Sequence, residues 1–430
     1  MNRSYLSYLL IRLILFPFSL FPFAWNRRIG TLIGSLAFYF IPNYRKRALS
    51  NLALATTLGL DRREIIAVAK ESFHNLAITC LEYAKLRRYR RLERIVRCSN
   101  PTLATDLMRQ KKGVVFFCAH QANWELFFLY GTKTMPGVGI GKPIKNRYLY
   151  RDIKQLREKF GGAIIAPNEA LKQGLRALRN GKFFGIIGDQ SLPESRYQFD
   201  FFGRRAWTTP LPVILAYKAR CPIVVATIVR EKKGYTMRYC DPLWPDCKAP
   251  LDREINRLMP QALQLLEAAI ANHPGQWLWQ HNRWKQETAN ILYYRFRLDS
   301  LLIILPQNQS HFEALLPHLS AFRTLYPRAF LTFLVPTPYR AKIPLADVEL
   351  LTYSTPKELF LRDFRFKLVF NFSKEPRLKR HFLRQSAFEV LDKRALSFLA
   401  SKYAKPGDDF SLVLKKALSR PNTTWSLNAS

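Results

Sequence analysis

The chain has 430 residues, 48% hydrophobic and 13% aromatic, with 68 Lys and Arg against 31 Asp and Glu, a net charge of +37. That apolar content excludes a wholly disordered chain, and at roughly 100–200 residues per domain the length predicts two to three domains. Residues 1–290 carry +26 and residues 291–430 carry +11, so the charge is no basic tail on a neutral body; it asks for nucleic acid, an anionic membrane face or phosphate-bearing and acidic partners.

Residues 5–25, YLSYLLIRLILFPFSLFPFAW, are apolar and aromatic with one interior charge, Arg12. The run matches the ~20 residues that cross a bilayer. Pro17 and Pro22 bend a helix there and Arg12 weakens a full span, so a single anchor and an in-plane helix both fit. No small-x-small site follows, which argues against a cleaved signal. Asn26-Arg27-Arg28 make a polar stop, and Ile29 to Ile41 is too short to span alone. From Tyr44 the chain reads as helical and basic, with Asp61 and Glu64 spaced as a capping box and apolar Ile65, Val68, Ala69 and Phe73 following. Its basic sides suit anionic headgroups or plain solvent equally well.

GVVFFCA at 113–119 predicts a short buried strand that ends at His120, and Asn123 is placed to cap a helix starting at Trp124. A histidine in the turn after a strand sits where open α/β sheets build sites. His120 and Glu125 on one regular helix would point about 140° apart. A histidine in the turn and a glutamate in the first helical turn can meet, and the carboxylate then fixes the imidazole tautomer and leaves the other nitrogen as a base. No serine or cysteine elbow accompanies them, so the base would act on a hydroxyl of a bound substrate. The plain alternative is a structural histidine. Further strands are expected at 163–166, 183–187 and 222–229, with helices at 153–160, 170–180 and 211–219, which gives a layered α/β domain. Asp189 closes the strand at 183–187 much as His120 closes the first. The six cysteines show no CxxC and no zinc spacing; they read as reduced, buried thiols of a cytoplasm-facing protein, with no metal site expected.

CAHQANWE at 118–125, GDQ at 188–190, FFGRRAWTT at 201–209 and PGQWLWQHNRWK at 274–285 occur in that order. Over about residues 1–290 this set resembles the late acyltransferases of lipid A biosynthesis, the lauroyl/myristoyl family within the wider His-x4-acid acyltransferases. The resemblance implies an α/β fold: a mixed-sheet acyltransferase core, like that of the glycerol-phosphate acylating enzymes, with an N-terminal membrane helix. It implies transfer of a fatty acyl chain from acyl carrier protein to a hydroxyl of a phosphorylated glycolipid, the lipid A precursor, at the cytoplasmic face of the inner membrane. His120 matches the general base and Glu125 its carboxylate partner. Arg157 falls where the family places an essential arginine, read as a donor to oxyanion or phosphate charge, and Asp189 matches the acid of the later motif, holding that arginine or the acceptor. Asn123, Arg204, Arg205, Arg283 and Lys285 are the candidate substrate contacts. A glycine is usual before Asn-Trp-Glu and a glycine-containing turn after Thr208-Thr209; here stand Ala122, Pro210 and Pro212. Thioester-to-hydroxyl transfer needs a base, an oxyanion stabiliser and an apolar slot, for which Phe116, Phe117, Trp124, Phe127 and Phe128 are candidates; it needs no cofactor.

Residues 291–430 lie beyond the resemblance and read as strand, helix, strand, a smaller accessory α/β module with a polar tail at Arg420–Ser430. Its opening faintly resembles the N-terminal half of heptose-type glycosyltransferases, without a nucleotide-sugar half or a Gly-rich phosphate loop. The expected organisation is thus a membrane region at 1–42, an acyltransferase domain at 43–290 and an accessory domain at 291–430. An acyltransferase working on a phospholipid or another glycolipid, and a non-catalytic basic protein binding membrane or RNA, are the competing readings. No RNP, KH or arginine-rich repeat supports nucleic acid as a partner.

Overall fold

A computed structural model describes residues 2–110 and 113–421; the expected tail falls from 422 onward outside the described residues. The chain divides into two compact units: residues 1–41, 57–59 and 66–283 form the first, and residues 42–56, 60–65 and 284–430 the second.

The first unit opens with α1 (Arg3–Leu20) and α2 (Phe23–Phe40). Pro17 is accommodated inside α1, while Pro22 ends the apolar run as the residue before α2. Helix α3 (Pro42–Leu54) belongs to the second unit, and α4 (Arg62–Leu86) starts with the expected capping box. The Glu64 amide donates to Asp61 Oδ1 at 2.8 Å, and the Asp61 amide donates to Glu64 Oε2 at 2.7 Å. Then follow β1 (Val96–Cys98), α5 (Pro101–Arg109), β2 (Val114–Cys118), α6 (Glu125–Thr134), β3 (Gly137–Ile140), α7 (Arg147–Arg157), β4 (Ala163–Ile165), α8 (Ala170–Arg179) and β5 (Phe183–Ile187). A hairpin, β6 (Gln198–Phe201) and β7 (Arg204–Trp207), precedes α9 (Leu211–Ala219), β8 (Ile223–Glu231), β9 (Gly234–Tyr239) and α10 (Leu251–Asn272). Pro210 precedes α9 and Pro212 sits in its first turn, where a missing amide proton costs nothing.

Seven strands form a mixed sheet in the order β1-β9-β8-β2-β5-β3-β4, parallel except for the β8–β9 pair. β2 is buried at all five positions because both faces of this central strand are covered. The strand reading at 113–119, 183–187 and 222–229 matches β2, β5 and β8 closely. The helix expected at 153–160 starts earlier, at Arg147, because Asn146 caps it by accepting from the Tyr148 and Leu149 amides.

The second unit holds five parallel strands, β10 (Ser300–Ile304), β11 (Phe330–Pro336), β12 (Glu349–Tyr353), β13 (Leu368–Asn371) and β14 (Glu389–Asp392), in the order β12-β11-β10-β13-β14. Helices α11 (Gln309–Leu315), α12 (Ser320–Leu325), α13 (Arg377–Arg384), α14 (Lys393–Ala400) and α15 (Phe410–Leu418) complete it. Helix α3 joins this unit through its side chains: Lys46 Nζ donates to the Ala387 carbonyl at 2.7 Å and Ser50 Oγ to the Arg365 carbonyl at 2.7 Å. The most deeply buried ion pair among the described residues of this unit is Lys367 Nζ to Asp299 Oδ1 at 2.7 Å, with both side chains 2% exposed.

Candidate active site

β2 delivers His120 at its carboxyl end and β5, its neighbour, delivers Asp189. The two meet through two hydrogen bonds: the His120 amide donates to Asp189 Oδ2 and the His120 Nδ1 proton goes to Oδ1, each at 2.7 Å. Trp277 Nε1 donates a third, to Oδ2 at 2.7 Å. Burial raises the Asp189 carboxyl, but the charge and hydrogen bonds of His120, together with the Trp277 indole, pull it down to about 2. Asp189 is therefore a carboxylate, Nδ1 carries the proton, and Nε2 is the basic nitrogen. Gln190 Nε2 lies 3.4 Å from it.

The turn that carries His120 is clamped. The Ala122 amide donates to the Gln276 carbonyl at 2.7 Å, the Leu278 amide donates to the His120 carbonyl at 3.1 Å, and Thr79 Oγ1 donates to the Ala122 carbonyl at 3.0 Å. Ala122 itself has φ +48° and is fully buried. That left-handed conformation accounts for the glycine usual at this place.

Glu125 stands apart from His120. Arg157 holds it in a two-pronged pair, Nε to Oε2 at 2.8 Å and Nη2 to Oε1 at 2.6 Å, and Trp124 Nε1 adds a hydrogen bond at 3.1 Å. Tyr83 from α4 interacts electrostatically with the same pair; burial and the Glu125 charge raise its own hydroxyl well above the ordinary tyrosine value. Burial raises the Glu125 carboxyl, yet Arg157, Tyr83 and Trp124 hold it below its ordinary value, while Arg157 is raised against its own burial by the Glu125 charge. Two expected pairings are thus exchanged: the carboxylate on His120 is Asp189, and the carboxylate on Arg157 is Glu125. The reason is geometric, since α6 begins at Glu125 itself and turns that side chain toward α7, while β5 runs beside β2.

The remaining candidates separate by burial. Asn123 does not cap α6, which has no side-chain cap; it is buried, and its Nδ2 donates to Glu82 at 2.8 Å in the interior. Arg283 is also fully buried, donating to the Trp207 carbonyl and Thr208 Oγ1 at 2.8 Å each, and burial lowers it to about 10. It braces the chain at the end of β7. Arg204 and Arg205 lie on β7, half-buried and exposed; Lys285 is exposed and belongs to the second unit. Sequence reasoning missed the roles of Tyr83 and Trp277. Trp277 was visible within the Trp-rich motif; Tyr83 carries no local signal.

Trp124 connects the histidine to an apolar chamber: its ring centroid lies 5.1 Å from that of His120, and it lines the cavity beyond. Glu125 and Arg157 mark the polar end of this cavity. Phe116, Phe127 and Phe128 line its walls with Met237 and Tyr239, and Gly139 and Gly185 leave room for it; Phe117 is not among the lining residues. A Cβ on Gly139 would come within 2.9 Å of Phe128.

The match to the family model for bacterial lipid A biosynthesis acyltransferase covers residues 1–286. The chain belongs to that family. Among relatives, it is 24% identical over 280 residues to a lipid A biosynthesis lauroyltransferase of Escherichia coli, spanning 63% of this chain and 88% of the relative. It is 22% identical over 277 residues to lipid A biosynthesis acyltransferase 2 of Shigella flexneri, spanning 63% and 87%. Membership makes this lipid A acyltransferase an enzyme of acyl transfer in lipid A biosynthesis, and membrane association accords with the apolar α1. Residues 287–430 lie beyond the matched region.

Proposed function

We propose that the enzyme moves a fatty acyl chain from acyl carrier protein to a hydroxyl of a phosphorylated lipid A precursor, at the cytoplasmic face of the inner membrane, with His120 as general base and Asp189 as its partner. The observation that carries this reading is the adjacency of a histidine with one basic nitrogen to an apolar chamber through the shared wall of Trp124.

The acyl chain lies in the chamber with its thioester at the polar end. His120 Nε2 takes the proton of the acceptor hydroxyl as the oxygen attacks the thioester carbonyl. The tetrahedral intermediate puts negative charge on the carbonyl oxygen, and Arg157, fixed by Glu125, supplies positive charge in a site shielded from water. Collapse breaks the carbon–sulfur bond, and the leaving thiolate receives the proton from the imidazolium. The products are an ester and the free thiol of the carrier. Asp189 stabilises the imidazolium formed midway. Glu125 acts through Arg157 and is a positioning residue.

The test is purified enzyme with acyl carrier protein thioester and lipid A precursor, followed by mass spectrometry of the lipid. One added acyl group is expected, lost in His120→Ala. Full activity in His120→Ala would refute the mechanism, and acylation of phospholipid in place of the precursor would move the acceptor assignment.

A further inference from the structure

Helix α1 is held along α7 by polar contacts at successive turns. Asn146 Nδ2 donates to the Ser4 carbonyl at 2.8 Å, Tyr8 OH donates to Asp152 Oδ2 at 3.0 Å, and Arg12 Nη1 reaches the same oxygen at 2.7 Å. No residue of α1 is buried, and Leu6, Leu10, Leu13 and Ile14 stand exposed on it. Between α1, α4 and α7 runs a furrow, distinct from the reaction chamber. Its walls are apolar, from Ile11, Leu15, Phe16, Leu149 and Ile153. Three arginines but one carboxylate line it: Arg12 and Arg87 converge on Asp152, at 2.7 and 2.6 Å, and the Arg88 guanidinium lies 5.5 Å from the Phe16 ring centre.

We propose that this furrow binds an anionic phospholipid of the surrounding bilayer, one acyl chain along the α1 wall and the phosphate among Arg12, Arg87 and Arg88. Charge excess and an apolar floor next to a lipid-facing helix match an amphiphile with an anionic head. The linings decide between a bystander lipid and the acceptor: Tyr83 and Leu156 line the furrow, whereas Glu125 and Arg157 line only the reaction chamber. A lipid in the furrow therefore lies outside the chamber that holds the Glu125–Arg157 pair and is not the molecule being acylated. The site is independent of the acyl-transfer reading.

The experiment is native mass spectrometry of the full chain in detergent, without acyl donor or acceptor, offered phosphatidylglycerol or phosphatidylcholine of equal chain length. Phosphatidylglycerol should be retained preferentially. The double variant Arg87→Gln, Arg88→Gln should weaken its retention by roughly thirtyfold, since two guanidinium charges no longer face the phosphate. Lys232→Gln with Lys233→Gln, an exposed pair elsewhere on this unit, should leave it unchanged. Leu15→Trp, which fills the furrow, should displace the lipid, with circular dichroism showing that the variant is folded; Ser19→Leu serves if it is not. Equal retention of the two lipids, or equal weakening by both double variants, would overturn the proposal. So would displacement of phosphatidylglycerol from the wild type by equimolar lipid A precursor, which would give the furrow to the acceptor.

Discussion

At the scale of single residues, the site rests on two carboxylates with different tasks. His120→Ala should cut the rate by about 100- to 10,000-fold, the range of a lost general base, measured by product formation under saturating donor. Asp189→Asn should approach that loss with the protein still folded. The charged Asp189 is favoured by folding, since its carboxyl sits near 2 folded against 3.8 unfolded. Its stabilising contribution is therefore present above 3.8 and is lost as pH falls toward 2. The stability gap between wild type and Asp189→Asn should accordingly be flat at neutral pH and close between those two values, as read by denaturant titration. Arg157→Ala strands a buried carboxylate and should cost about 3–5 kcal/mol. Arg157→Lys should fail too, because an ammonium gives only one prong of a two-pronged pair. The sequence singled out His120, Glu125, Arg157 and Asp189. It misassigned their pairing because spacing along the chain allowed His120 to meet Glu125, whereas the partnership with Asp189 crosses 69 residues and depends on which strands lie side by side. Ala122 shows the same limit: the sequence revealed a departure from glycine, and only the backbone shows that a left-handed residue is required. Ala122→Val should be destabilised by about 3 kcal/mol, while Ala122→Gly should stay within about 1 kcal/mol of wild type in thermal melts.

At the scale of elements, strand β2 and helix α6 supply both the base and much of the chamber. The strands were legible because buried parallel strands are continuous apolar runs, and the capping box of α4 because its two residues are local. The start of α6 was not. Asn123 has the right chemistry for a cap, but its amide is drawn inward by Glu82 of α4, a tertiary bond with no trace in the flanking sequence. The chamber depends on small residues at β3 and β5. A Cβ on Gly185 would make only ordinary contacts, at 3.9 Å from Phe128, Phe183 and the Val138 carbonyl, and because Gly185 lines the chamber a larger side chain there takes up chamber space. Gly185→Val should fold and shift the product toward shorter acyl chains in mass spectra of the lipid; an unchanged chain length would remove the chamber from the donor's path.

At the scale of the molecule, the surprise is how the second unit is put together. The break between the units falls after residue 283, and residues 42–56 and 60–65 group with the C-terminal sheet. Besides Lys46 and Ser50, Arg62 donates to Gln385 Oε1 at 2.8 Å and stacks over the Phe364 ring at 4.1 Å. Nothing in the basic helix-like stretch after Tyr44 foretells partners more than 300 residues away. A chain cut at residue 290 should therefore not behave as a trimmed enzyme. It is expected to be insoluble or to be cleaved by trypsin within residues 42–65, and a soluble, protease-resistant fragment of that length would refute the interdependence of the two ends.

That arrangement sets a timetable for synthesis. Ser50 and Lys46 await partners 315 and 341 residues downstream. At about 5–20 residues per second, helix α3 leaves the ribosome on the order of 20–60 s before the strands it completes exist. During that interval its apolar side, Leu49 and Leu52 among it, has no native surface to cover it, so slowed translation should raise misfolding of the C-terminal unit before that of the catalytic one.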